Sequence, residues 1–187
     1  MRIGILAVQG AFIEHEKILE KLGVDYVEIR QKKDFTGIDG LILPGGESTV
    51  QGKLIKKLGL HEEIKSSIEN GLPVLATCAG LILLAQNIEN DSTVHLRTLP
   101  VTVKRNAYGR QLGSFLTNSN VGEIADFPLV FIRAPYITKV GSKVRVLASV
   151  DNNIVGVEYG KQIGLAFHPE MTGDNRIHER FIHNCIS

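Results

Sequence analysis

The chain of 187 residues is short of the features that announce several common protein classes. It has two cysteines, Cys78 and Cys185, too far apart for a CxxC motif and too few for a disulfide framework, so a reducing compartment fits best. It lacks an excess of charge: Lys+Arg number 21 against Asp+Glu 20, which leaves nothing to drive binding to nucleic acid or to a membrane surface. No apolar run approaches the ~20 residues that cross a bilayer. The N-terminal MRIGILAVQGAF is too short in its apolar part for a secretory signal, and Glu14, His15 and Glu16 follow at once. A cytoplasmic protein with no membrane and no nucleic-acid partner is expected. Zinc-ligand spacing is missing as well. His178 and His183 are five apart on a predicted helix and share no face, so no metal is expected.

What the chain does have is alternation. Ile3 to Val8 reads as a strand buried on both faces, turned by Gln9-Gly10 into a helix that runs to about Leu22 and stops at Gly23. Tyr26 to Ile29 and Gly40 to Leu43 are further strands. Leu60, Ile64 and Ile68 recur at helical spacing and end at Asn70-Gly71, before the strand Val74 to Ala76 and a helix carrying Leu81 to Ala85. This order implies βαβ units, hence an α/β domain over 1–187 with a central, mostly parallel sheet and helices on both faces. Past about residue 92 the pattern turns to additional C-terminal strands: 99–103, 130–132, 144–150, 154–159 and 163–167. A last helix from about Asn175 puts Ile177, Phe181 and Cys185 on one stripe.

Ligands of such sheets bind beyond the carboxyl ends of the strands. Gln9-Gly10, Gly45-Gly46, Cys78 and His168 all fall there. The stretch GGESTVQGKL is not a P-loop, because Glu47 and Leu54 stand where the motif needs Gly and Ser or Thr. It remains a loop whose backbone can approach a ligand closely, with Ser48 as the expected N-cap of the next helix. Cys78 sits among small residues in ATCAG, where a strand turns into a helix. That context suits a nucleophile elbow, and a helix N-terminus with an adjacent imidazolium favours a thiolate. In His168-Pro169-Glu170 the proline keeps His168 extended, and the residue two further on points the same way. Glu170 can then orient the imidazole of His168, giving a Cys-His-carboxylate set. Cys185 falls on an apolar stripe, while His15, His61 and His95 read as surface or packing residues.

The motifs LAVQGAFIEH (6–15), LPGGEST (43–49), TCAGLILLA (77–85), RNAYGRQ (105–111), FIRAPYI (131–137) and FHPEMTGDNRIHERF (167–181) together resemble the class I triad glutamine amidotransferases. Within them the chain is most similar to the glutaminase subunits of pyridoxal 5′-phosphate synthase. The elbow and HPE occur across the triad amidotransferases, including that of histidine biosynthesis; QGAFIEH, RNAYGRQ and FIRAPYI point to this group. The HPE on a late strand and the PGGEST loop argue against a PfpI-like elbow protein; a flavodoxin-like binding module is the non-enzymatic alternative, which a thiol trap with a glutamine-mimicking electrophile separates.

The resemblance implies the class I amidotransferase fold and a set of roles. Cys78, His168 and Glu170 would be catalytic, the N–H groups of Gly46 and Ala79 would form the oxyanion hole, and Gly46, Glu47, Ser48, Arg105, Ile132 and Arg133 would hold glutamine. No cofactor is implied. Ammonia would pass to a separate synthase subunit, of the PdxS type, in a large heteromeric complex. Gln9 and Gly10, beside the site, are the expected partner contacts. The sequence departs from the group at Ala76, where glycine is usual two residues before the nucleophile. Alanine tolerates positive φ poorly, so a less extreme backbone is expected there.

Overall fold

The computed structural model describes residues 1–107 and 113–187. Its first half follows the alternation of the sequence: β1 (Arg2–Leu6), α1 (Phe12–Lys21), β2 (Asp25–Ile29), β3 (Gly40–Leu43), α2 (Ser48–Lys57), α3 (His61–Glu69), β4 (Val74–Thr77) and α4 (Ala79–Leu84). Eight strands follow, β5 (Ala85–Ile88), β6 (Leu99–Lys104), β7 (Ser114–Val121), β8 (Ile124–Ile132), β9 (Tyr136–Val140), β10 (Arg145–Val150), β11 (Asn153–Tyr159) and β12 (Gln162–Leu165). The helix α5 (Arg176–Ile186) closes the chain.

The main sheet runs β2-β1-β3-β4-β12-β11-β9-β6-β5, with β10 pairing alongside β11, and β7-β8 form a separate hairpin. From β2 to β12 every pairing is parallel. This is the half that carries the site, and its strands β3, β4 and β12 are buried at every position. Their apolar residues face both ways because both faces of a parallel sheet are covered. Beyond β12 the sheet continues through antiparallel pairings to β11, β9 and β6. Among the described residues no helix is long and apolar enough to cross a membrane.

Several local expectations are corrected. The helix after Cys78 ends at Leu84, and Ala85, at φ −58 and ψ 138, opens β5 instead of closing the helix. The six residues of α4 are all buried, so apolar content carried no amphipathic signal of where it stops. The hairpin strand β7, SFLTNSNV, is exposed at alternate positions and too polar to stand out in the sequence. Strand β9 also escapes a pattern reading, because only Ile137 of it is buried. The stripe of α5 is as expected, with Ile177 and Phe181 buried and Cys185 partly so, but His178 is buried beside them.

Candidate active site

Strand order decides which loops meet. Because β1, β3, β4 and β12 lie side by side and parallel, the segments leaving their carboxyl ends share one edge. These segments carry Gln9, Gly45, Cys78 and His168. All four line one cavity of about 520 Å³, together with Gly46, Glu47, Ser48, Ala79, Arg105, Ile132 and Arg133. The convergence expected from the sequence is present.

Cys78 is held by its N–H, which donates to Leu165 O at 2.8 Å, and it takes φ 48, ψ −102 between β4 and α4. Positive φ is uncommon outside glycine and costs about 1–3 kcal/mol, so the surroundings must enforce it. Ala76 is not among the positive-φ residues and lies in regular β4 pairing with Leu43 and Gly164. The strain falls on the cysteine itself, and the alanine is accommodated without a special backbone. One residue into the helix, a Cβ at Gly80 would stand 2.0 Å from Leu43 O. Only glycine lets α4 close onto the end of β3.

His168 follows β12 in a non-helical conformation, φ −110 and ψ 86, as a residue before proline should. Glu170 then lies in a short 3-10 turn, Pro169–Met171, and not in extended chain. It nevertheless reaches His168, with Nδ1 and Oε1 2.7 Å apart and both side chains buried. The turn brings the carboxylate back under the ring. On its own, burial would lower the basicity of His168, but Cys78 and the Glu170 carboxylate outweigh it and raise the imidazole to about 10. Burial would raise Glu170, and neighbouring His15 and His168 reverse that and hold it below the usual carboxylate range. The second ring nitrogen of His168, Nε2, is buried and has no hydrogen-bond partner among the described residues. A Cβ built on Gly45 would lie 2.5 Å from His168 Cε1 and 3.4 Å from Cys78 Cβ, so the two side chains meet across that glycine.

The glycine loop is pinned on every side. Gly45 N–H donates to Thr77 Oγ1 at 3.1 Å, and Gly45 O accepts from Ala11 N–H at 3.0 Å. Glu47 N–H donates to Gln9 Oε1 at 2.9 Å, and the Gln51 amide donates to Gln9 O and Pro44 O. Glu47, not Ser48, is the N-cap of α2: its carboxylate accepts from Thr49 and Val50 N–H at 3.1 and 2.8 Å. A carboxylate spans two orphan donors where a hydroxyl reaches one, and it complements the positive end of the helix. Burial pushes Glu47 up, but these two N–H groups and Arg105 leave it below the usual range.

Opposite the loop, Arg105 donates to Thr49 Oγ1 at 3.1 Å and lies 3.4 Å from Asp91 Oδ2. Arg133, at φ 44, follows β8. Ala107 N–H donates to Ala134 O at 3.1 Å, which brings the two arginine segments onto one rim. Tyr108 to Gln111 of the RNAYGRQ motif lie outside the described residues. Each candidate residue that is described therefore reaches the cavity or its frame. Gln9 and Gly10, expected at a partner surface, also build the loop, Gln9 through its side chain and Gly10 by packing against Gly45.

Three contributors escape sequence reasoning: His15, Thr77 and Gln51. All are fully buried polar residues, and their signal would have been polar side chains on faces otherwise apolar. His15 is buried as a packing residue would be, yet it lies 3.7 Å from Glu170 Oε2.

The SNO glutamine amidotransferase family matches residues 5–187. A Desulfitobacterium hafniense protein named pyridoxal 5′-phosphate synthase subunit PdxT is 61% identical over 183 residues, covering 97% of this chain and 92% of that protein. A Haemophilus influenzae protein of the same name is 49% identical, covering 99% of this chain and 98% of its own. A crystal structure described as a glutamine amidotransferase superposes with a TM-score of 0.95 at 41% identity over 99% of both chains.

Proposed function

The chain belongs to the SNO glutamine amidotransferase family, and on that premise we propose that it is the glutaminase of a pyridoxal 5′-phosphate synthase, with Cys78, His168 and Glu170 as its catalytic triad. The observation that carries the reading is a strained cysteine at a strand-to-helix turn, facing a buried histidine that a carboxylate holds at 2.7 Å.

The Cys78 sulfur, its proton held by His168, attacks the side-chain amide carbon of glutamine. Ala79 N–H, in the first turn of α4 with no helical partner, receives the oxyanion, and the N–H of Gly46 joins it once the Gly45-Gly46 peptide has rotated. The His168 imidazolium, sustained by Glu170, gives its proton to the leaving ammonia. A γ-glutamyl thioester remains on Cys78. The now neutral ring takes a proton from water, the hydroxide displaces the thiolate, and glutamate leaves. Arg105 and Arg133 on the rim suit the α-carboxylate of the amino acid, since a guanidinium fork matches carboxylate geometry. Arg105 is set in place beforehand by Thr49 and Asp91. Gly46, Ser48 and Ile132 complete the walls, and Glu47, with its carboxylate and N–H both used internally, shapes the loop.

Ammonia released in water is protonated to a cation that is not a nucleophile, so a synthase subunit must receive it directly. Gln9, Gly10 and the start of α1 form the proposed docking edge. They touch the Gly45-Gly46 peptide, so docking can rotate it, and that rotation must break the hydrogen bond from Ala11 to Gly45 O. The reading is tested by ammonia release from glutamine with and without the cognate synthase, and by trapping with a glutamine-mimicking electrophile. Hydrolysis that rises on synthase addition, and a label on Cys78, are expected. Absence of hydrolysis in the assembled complex overturns the reading.

A further inference from the structure

Behind the triad lies a pair of buried histidines that the reaction steps above do not use. His15 on α1 and His178 on α5 are both fully buried. Their rings meet through His15 Nδ1 and His178 Nε2 at 2.9 Å. The other nitrogen of His15, Nε2, lies 3.7 Å from Glu170 Oε2 and 3.5 Å from Thr77 Oγ1. Glu170 Oε2 is the carboxylate oxygen that His168 leaves free, and it makes no hydrogen bond among the described residues; the same is true of His178 Nδ1.

We propose that His15 is a positioning residue of the triad: as the Nε2–H tautomer, fixed by a hydrogen bond from His178, it presents its N–H to the second oxygen of Glu170 and keeps that carboxylate turned onto His168. This rests on the triad acting as a glutaminase.

Burial lowers both rings, His178 well below its ordinary value and His15 despite the opposing pull of Glu170, so both are neutral. His168, just before the 3-10 turn, and Glu14 on the same helix are the other charged groups acting on His15, in opposite directions. A neutral pair sharing one hydrogen bond has two proton arrangements. In one, His178 Nε2–H donates to His15 Nδ1, and His15 Nε2–H points between Glu170 and Thr77. In the other, His15 Nδ1–H donates to His178 Nε2, so a bare lone pair of His15 faces the carboxylate and a buried Nδ1–H of His178 has no acceptor. The first arrangement strands only a neutral lone pair, on His178 Nδ1. A buried donor or an anionic oxygen left unpaired costs more than a neutral acceptor, so the first wins. Thr77 fits it, because its oxygen already accepts from Gly45 N–H and has a second lone pair for His15.

Helix α1 thereby seats both halves of the machinery. Ala11 N–H holds Gly45 O at its start, and His15, one turn on, supports the triad carboxylate.

Nitrogen-15 NMR of the histidine-labelled chain reads the tautomers without any substitution. Nε2–H at both His15 and His178 is expected, and Nδ1–H at His15 overturns the proposal. Kinetics of the chain assembled with its synthase supply the second arm. His15→Leu keeps the bulk and removes the donor; its kcat should fall about 10- to 100-fold, as when the partner that orients a functional ligand is lost, with KM for glutamine unchanged. His15→Gln, whose amide N–H reaches the same region, should recover most of the loss. A folded, synthase-binding His15→Leu with wild-type kcat, or a Gln variant no better than Leu, overturns the proposal. A wild-type complex without hydrolysis would instead strike the glutaminase reading, leaving the tautomer result to stand or fall by itself.

Discussion

Replacing Gly10 with alanine tests how the loop is held. The residue sits at φ +105, and a Cβ there would stand 1.9 Å from Gly45 O and 3.1 Å from Gly46 Cα. Both contacts are backbone, so no side chain can swing away and the loop itself must move. Holding alanine at that φ costs about 1–3 kcal/mol. Displacing Gly45 O also weakens its hydrogen bond from Ala11, worth about 0.5–1.5 kcal/mol net. The sum, about 1.5–4.5 kcal/mol, corresponds to a Tm fall of about 3–18 °C for a chain of this length. The effect on rate is of another kind. The shifted peptide carries the Gly46 N–H, and an oxyanion donor lost costs about 10²–10³ in kcat. The assay is ammonia release at saturating glutamine with synthase present, beside a thermal melt. Gly23→Ala is the control: its φ is +68, but an added Cβ meets nothing within 4 Å. It should lose stability from strain alone and keep its kcat. Wild-type kcat in Gly10→Ala, or an equal rate loss in Gly23→Ala, would refute the link between Gly10 and the oxyanion loop.

Other outcomes follow from the same geometry. Cys78→Ser should abolish hydrolysis with the fold intact, whereas Cys185→Ser should keep it. Burial, with Asp39 adding, raises the Cys185 thiol to about 12, so mass spectrometry after an electrophilic glutamine mimic should find Cys78 modified and Cys185 untouched. Glu170→Gln should slow the reaction less than His168→Asn at saturating glutamine, since the carboxylate orients and the imidazole moves protons. Stability should depend on pH through the same pair. His168 is raised from 6.5 to about 10, so its contribution is full below pH 6.5 and is lost as pH rises through about 10. Glu170 is lowered, so its contribution is present above the ordinary carboxylate pKa and is lost as pH falls through the lowered value. Melts of His168→Asn should be flatter than wild type on the alkaline side, and those of Glu170→Gln flatter on the acid side.

Much of this protein is written locally. Apolar runs broken by glycine state the parallel strands β1, β3 and β4, because a strand buried on both faces has no polar alternation to hide it. The elbow at Cys78 and the His168-Pro169-Glu170 unit are legible for the same reason: each role is set by neighbours one or two residues away. The ends of α4 and the polar strand β7 were not, since one has no polar face and the other little apolar one. Position across the sheet is a further matter. That β12 pairs with β4, and so delivers His168 to Cys78 from 90 residues on, follows from strand order, which no local pattern encodes. His15 and His178 are 163 residues apart and show nothing in sequence beyond two histidines on helices. Only the tertiary structure brings His15 to 2.9 Å from His178 and to 3.7 Å from Glu170 Oε2, because helices from opposite ends of the chain meet there through packing that no local pattern encodes.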